Sequence, residues 1–302
     1  MRRVTLALPA PALPPWLAAM LPFRRALWPL AGHQLHVMER GPADGTPVIM
    51  VHGNPTWGFL YRKVAAALER DPVRVIMPDL VGLGLSSKPH DPTFHTIERH
   101  ADALGALVDA VAPGRFHLVV QDWGGPIGLH MAADRPDRLA SLVIMNTGVT
   151  PPRVGFRPTL FHRVANLPVV GELLFQRLPF PQAAMSFVQD DRGSIRGDVA
   201  RAYRWPLRKV EDRVAPLALA RLVPDSQEHP AIPAFRRCEE LLKSFQGPIE
   251  LVWGERDPLL ARIVNHLERL LPRARVTRTQ AGHFLQEEVP LEIAAAVRRV
   301  TR

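Results

Sequence analysis

The segment Leu118-Val119-Val120-Gln121-Asp122-Trp123-Gly124-Gly125 joins an apolar run to two glycines and then to a helical pattern. A strand that turns sharply into a helix presents its turn residue at the carboxyl end of a sheet, where ligands of α/β proteins bind. Small residues must follow, because a side chain there would meet the neighbouring backbone. The turn residue is Asp122, a residue type already ionised at neutral pH, so it needs no base to become a nucleophile. Taken alone, an Asp in this place also reads as a helix N-cap. Three further motifs change the weighing. Val48 to Val51 runs into His52-Gly53-Asn54-Pro55, a strand end whose backbone N–H groups could receive an oxyanion. Leu251 to Gly254 leads to Glu255-Arg256-Asp257, and Gly282-His283-Phe284 follows the last strand-like stretch. Candidate nucleophile Asp122, candidate acid Asp257 and candidate base His283 therefore occur in the chain order nucleophile, acid, histidine. The 26 positions from Asp257 to His283 leave room for one helix and one strand.

Bringing these groups to one sheet edge requires buried parallel strands. Short runs rich in Val and Ile recur with amphipathic stretches between them, the rhythm of a mostly parallel sheet covered by helices on both faces. Strands are expected at 48–51, 73–77, 117–120, 142–145, 249–252 and near 275–277, and helices at about 58–70, 97–111, 125–135, 259–271 and 291–300. From 148 to 224 the rhythm gives way to short helical pieces punctuated by Pro and Gly. An insertion of that length between strands of one sheet is expected to be a helical cap, dividing the core into 1–147 and 225–302. The proline-rich stretch 9–22 is expected to pack on the core edge.

The chain has 302 residues, 47% hydrophobic and 22% charged, which allows a large core and excludes disordered and fibrous classes. Its single Cys excludes an internal disulfide and a Cys-based metal site and favours a reducing compartment. No cofactor and no metal are expected. Met1-Arg2-Arg3 followed by Val4 to Leu8 superficially resembles a signal peptide, but prolines at 9, 11, 14 and 15 interrupt the apolar stretch before the ~7 to 15 residues such a segment needs. No window approaches ~18 uninterrupted apolar residues, so no membrane span is expected and the expected location is cytoplasmic. The net charge is +9, and all but four of the 38 basic residues are Arg. They are scattered and lack interleaved aromatics, so nucleic acid is not the expected partner. The stretch 148–224 holds twelve bases against six acids. Oligomeric state is left open.

Together the motifs resemble the haloalkane dehalogenases of the α/β-hydrolase fold. The likeness covers nearly the whole chain outside the cap: Pro15-Trp16-Leu17 with Pro22-Phe23, His52 to Trp57 followed by Leu60-Tyr61-Arg62, Pro78 to Ser86, Gln121 to Gly125, and Gly282 to Glu287. It implies that Asp122 is the nucleophile, His283 the base and Asp257 the acid orienting it. It also implies that Asn54 and Trp123 hold the leaving halide through side-chain N–H groups, their backbone N–H groups receiving the oxyanion. The implied partners are a small apolar haloalkane and water, with halide as product. Members that carry the acid after an earlier strand differ, since here that strand ends Met145-Asn146-Thr147 and Glu255 is expected to face solvent. Trp205, the cap tryptophan, could serve as a second halide donor, but Asn54 already fills that role. The set Asp-His-Asp with Asn-Trp resembles the third dehalogenase subfamily, which also contains β-lactone decarboxylases of olefin biosynthesis.

That decarboxylase reading stays open, because the cap decides substrate shape. Epoxide hydrolases share the fold and the Asp nucleophile but protonate the epoxide with two cap tyrosines; only Tyr61 and Tyr203 exist, and only Tyr203 falls in the cap. Haloacetate dehalogenases place an Arg beside the nucleophile, where this chain has Trp123. A non-catalytic binding protein on the same fold is disfavoured by the intact nucleophile, acid and histidine.

Overall fold

The structure, a computed structural model, describes residues 6–302, so the start of the basic opening at 1–5 lies outside the described residues. The strands are β1 (Leu8–Pro9), β2 (Arg24–Leu30), β3 (His33–Arg40), β4 (Thr46–Val51), β5 (Val73–Pro78), β6 (Phe116–Gln121), β7 (Leu139–Met145), β8 (Ile249–Gly254) and β9 (Arg275–Thr279). They form one sheet in the order β1-β2-β3-β5-β4-β6-β7-β8-β9. From β5 onward along that order every pairing is parallel, while β1, β2 and β3 are antiparallel. The central strands β4, β6 and β7 end in runs of four or more buried residues, as expected where helices cover both faces. This is the α/β-hydrolase architecture.

The helix Ile97–Val111 shows how local sequence sets an element. Thr96 caps it by accepting from the Arg99 N–H, Glu98 lies in its first turn, and Ile97, Ala101, Leu104 and Val108 form its buried stripe. At 58–70 the structure differs from expectation, with a tight turn at Gly58–Tyr61 before a shorter helix at Arg62–Ala67. The reason is Asp79, which accepts from the Gly58 N–H at 2.7 Å, the Leu85 N–H at 2.7 Å and His36 Nδ1 at 2.9 Å. Burial alone would raise the Asp79 pKa, but His36 and these donors overcome it and hold the carboxyl below its usual range. Gly84 is obligatory beside it: its φ is +51° and a Cβ would lie 2.1 Å from Asp79 Oδ2.

The antiparallel strands β2 and β3 were not marked by alternation. Their two-residue turn is Ala31-Gly32, both at positive φ, and Pro29 interrupts β2. The stretch 9–22 lies against the sheet through buried Leu17 and Leu21. Between β7 and β8 the described chain is helical or irregular throughout. A helix at Ile232–Ser244, also unmarked by the periodicity, belongs to the core layer, where Cys238 Sγ donates to the Pro126 carbonyl. The segment between β7 and β8 is tied to the chain after β9 by Tyr203, which donates to Glu287 Oε1 at 2.5 Å. Glu287 is fully enclosed and receives Arg62 through both carboxylate oxygens, at 2.5 and 2.9 Å, with Lys63 at 3.1 Å. Among the described residues no helix is long and apolar enough to cross a membrane.

Candidate active site

Asp122 stands between β6 and the helix Gly124–Ala133, with φ at +50°, a costly conformation for a residue with a side chain. Its neighbours hold it there. The Asp122 N–H donates to the Asn146 carbonyl at 3.1 Å, and its own carbonyl accepts from Gly125 N–H at 2.9 Å and Thr147 Oγ1 at 2.6 Å. Glycine is required at two contacts, since a Cβ on Gly53 would sit 2.2 Å from Asp122 Oδ1 and one on Gly124 would sit 2.2 Å from the Val51 carbonyl. The positive end of the helix that follows faces the carboxylate.

Asp122 Oδ1 accepts from the Asn54 backbone N–H at 2.7 Å. His52 supports that loop from beneath: its Nδ1 bonds the Gly53 carbonyl at 2.8 Å and its Nε2 receives the Leu80 N–H at 3.0 Å. Burial depresses the His52 pKa and keeps the ring neutral, so this histidine is a brace for the turn. The Asn54 side chain donates one N–H to the Pro216 carbonyl at 3.0 Å, which fixes the amide and leaves its second N–H for another acceptor. Trp123 is almost fully buried, and its indole N–H has no hydrogen-bond partner among the described residues.

His283 Nε2 lies 3.6 Å from Asp122 Oδ2, too long for a good hydrogen bond but close enough for strong charge attraction. Its Nδ1 is 2.9 Å from Asp257 Oδ2. Asp257 is itself held by the Leu259 N–H at 2.7 Å and by Asn146 Nδ2 at 2.7 Å. Burial would raise the Asp257 pKa, yet His283 and the Asn146 amide outweigh it and keep the carboxyl below its usual value. Burial likewise pulls His283 down, but the Asp257 and Asp122 carboxylates reverse this and raise it to about 10.

The sign of that shift sets a stability prediction. The interaction of His283 with its carboxylates is fully present below its ordinary pKa near 6.5 and is lost as pH rises through about 10. The melting temperature should fall between about pH 7 and about pH 10, and a His283→Gln variant should lose less over the same interval. Equal losses in the two proteins would refute the assignment.

Asn146 was not singled out as a site residue. Besides Asp257 it bonds both backbone groups of Gly254, so it locks the ends of β7 and β8 together. Its place at the end of a buried strand was the available signal. Glu255 pairs with Arg278 at 3.1 Å on the exposed side, away from His283. Trp205 packs edge-on against Trp16, and neither tyrosine reaches the cleft described next: Tyr61 donates to the Val51 carbonyl at 3.0 Å and Tyr203 to Glu287.

A cleft of about 780 Å³ opens above Asp122 and Trp123. Pro126 and Phe235 of the core wall it together with Thr150, Phe156, Thr159 and His162. His162 bonds Thr159 Oγ1 at 2.8 Å, and burial holds its pKa down to about 4, so it lines the cleft as a neutral ring. The cleft is thus largely apolar, with Asp122 and Trp123 in its lining and His283 Nε2 3.6 Å from Asp122 Oδ2. Such an arrangement suits displacement at carbon by Asp122 followed by hydrolysis assisted by His283.

The sequence profile of the alpha/beta hydrolase fold family matches residues 46–290. A haloalkane dehalogenase of Mycobacterium marinum is 33% identical over 267 residues, covering 87% of each chain. A cis-3-alkyl-4-alkyloxetan-2-one decarboxylase of Shewanella oneidensis is 31% identical over 292 residues, 93% of this chain and 89% of that protein. Among solved structures, the haloalkane dehalogenase DatA from Agrobacterium tumefaciens superposes with a TM-score of 0.82 at 26% identity, covering 92% of this chain and 96% of that one.

Proposed function

The chain belongs to the haloalkane dehalogenase family of the α/β-hydrolase fold, and from that premise we propose that it cleaves a carbon–halogen bond through an ester on Asp122. The observation that carries this reading is Asp122 Oδ2, 3.6 Å from His283 Nε2 on the floor of an apolar cleft and beside the unpartnered Trp123 indole. Oδ1 is held by Asn54, so Oδ2 is the attacking oxygen. It forms a bond to the sp³ carbon as the halide departs with the bonding electrons. The Trp123 indole N–H and the remaining Asn54 amide N–H face the charge that develops on the halide.

Esterification neutralises Asp122 and removes one of the charges that raise the His283 pKa. The ring then gives up its extra proton more readily and becomes a base for water. Water loses a proton to His283 Nε2 as its oxygen adds to the Asp122 ester carbon, with the Asn54 and Trp123 backbone N–H groups stabilising the oxyanion. Collapse expels the alkoxide, which takes the proton from His283 and leaves as the alcohol. The second water proton, now on the Asp122 carboxyl, passes to His283, which restores the carboxylate and the imidazolium that Asp257 holds. In this reading the segment 148–224 is the cap that shapes the cleft, and its products are an alcohol and a halide.

A second reading rests on the 31% identity to the oxetanone decarboxylase: the same carboxylate would open a β-lactone that yields an alkene and carbon dioxide. Halide release separates the two. The purified protein should release bromide from 1-bromobutane or 1,2-dibromoethane at a rate lost in Asp122→Asn. If no bromoalkane of any chain length releases bromide while a cis-dialkyl β-lactone yields an alkene, the decarboxylase reading replaces the first. The engagement of both tyrosines elsewhere leaves the epoxide reading without a proton donor of that type in the cleft.

A further inference from the structure

Ten of the fourteen exposed large hydrophobic side chains among the described residues lie between Val154 and Phe187. Leu160 opens the helix Leu160–Ala165 and Leu167 lies just beyond its end, and both line one shallow surface hollow with Arg157 and Arg163. Val169, Val170 and Leu173 follow, all exposed, around the short turn Val170–Glu172. Val169 is 77% exposed and sits at φ +64°, a conformation that costs a β-branched residue dearly and that holds the side chain out in water. A monomeric surface gains nothing from such an arrangement, so the apolar face is expected to be covered in use.

Its charge identifies the cover. Arg153, Arg157, Arg163 and Arg177 are all exposed, and none makes an ion pair among the described residues. The acid within the same stretch, Glu172, is neutralised by Arg221 at 2.6 Å, and Asp225 is the one acid lining the hollow, against Arg157 and Arg163. A two-fold contact with a second copy would set these arginines against one another. Exposed Leu, Val and Phe flanked by Arg is the composition of a surface that lies on anionic lipid headgroups, with the apolar side chains entering the acyl boundary.

We propose that the segment Arg153–Phe187 docks this protein on an anionic bilayer surface. The docking does not depend on the chemistry at Asp122. It does bear on substrate supply, because Arg153, Val154, Phe156 and His162 of the same segment also line the cleft above Asp122. The docked face therefore includes the cleft entrance, and apolar molecules dissolved in the bilayer would reach the nucleophile without crossing water.

The test is co-sedimentation with vesicles of phosphatidylcholine alone or mixed with phosphatidylglycerol, at about 0.15 M and about 1 M salt. The protein should bind the mixed vesicles at low salt and be released at high salt. Leu167→Ser with Val169→Ser, and separately Arg163→Gln with Arg177→Gln, should each reduce partitioning about tenfold or more. All four positions are exposed, and unchanged melting curves would show that the variants fold. Absence of binding to the mixed vesicles would overturn the proposal, as would equal binding to both compositions. A solution dimer that the Leu167→Ser, Val169→Ser protein splits into monomers would overturn it too, by assigning the face to a second copy.

Discussion

Replacing His283 by Ala should leave a protein that consumes one equivalent of bromoalkane and then stops. The alkylation step uses Asp122, whose carboxylate is held by the Asn54 N–H and does not need His283 to be deprotonated. Hydrolysis of the resulting ester does need it, because the described groups nearest Asp122 Oδ2 include no other base placed like His283 Nε2 at 3.6 Å. Steady turnover should fall by roughly 10² to 10⁴-fold, the usual worth of a positioned general base. After incubation with 1-bromobutane, mass spectrometry should find one added butyl group on the peptide containing Asp122. Steady bromide release without that adduct would show that water attacks carbon directly and would sink the covalent route. Asp257→Asn should show the same defect, since the amide keeps only one acceptor oxygen, so that either the Leu259 N–H or the Asn146 and His283 donors would face its NH2, and the imidazolium would lose its counter-charge.

The second large effect concerns folding. Glu287→Ala should destabilise the protein by about 3 to 5 kcal/mol, because it strands the Arg62 guanidinium inside the structure without its carboxylate. Two oxygens of Glu287 satisfy Arg62, and the same group accepts from Tyr203, which stands between β7 and β8. Tyr203→Phe removes one hydrogen bond only and should cost about 1 kcal/mol. Urea unfolding of the three proteins measures both numbers. A loss below about 1 kcal/mol for Glu287→Ala would mean that Lys63, Arg62 and water rearrange at little cost, and the carboxylate would then not be what ties Arg62 and Tyr203 together.

Much of the core was legible because its signals are local. A parallel strand buried on both faces is a largely apolar run, so β4 to β8 announce themselves in the sequence, and Thr96 with Glu98 marks a helix start within three residues. The antiparallel strands β2 and β3 carry no such mark. Pro29 and the charged ends of both strands break the alternation, and their turn is Ala31-Gly32, without the Asn-Gly or Asp-Gly pair that flags a hairpin. The helix Ile232–Ser244 was hidden by its own polarity, since only the side facing the core helix Gly124–Ala133 is apolar.

By itself the sequence determined which residue types could do chemistry and where each stands along the chain: an Asp at a strand-to-helix turn, a His-Gly-Asn loop after a strand, and an acid and a histidine after two later strands. That information is one-dimensional, and backbone geometry carries it far, because consecutive parallel strands deliver their carboxyl ends to one edge. What only the tertiary structure decided depends on contacts between residues distant in sequence. It set the 3.6 Å gap between Asp122 and His283, the use of Asn146 to brace Asp257, and the tethering of the Asn54 amide by Pro216. It bound Tyr203 to Glu287, and it left leucines and valines between Val154 and Leu178 exposed. No local pattern encodes these outcomes, because each is fixed by which partner the folded chain brings within reach.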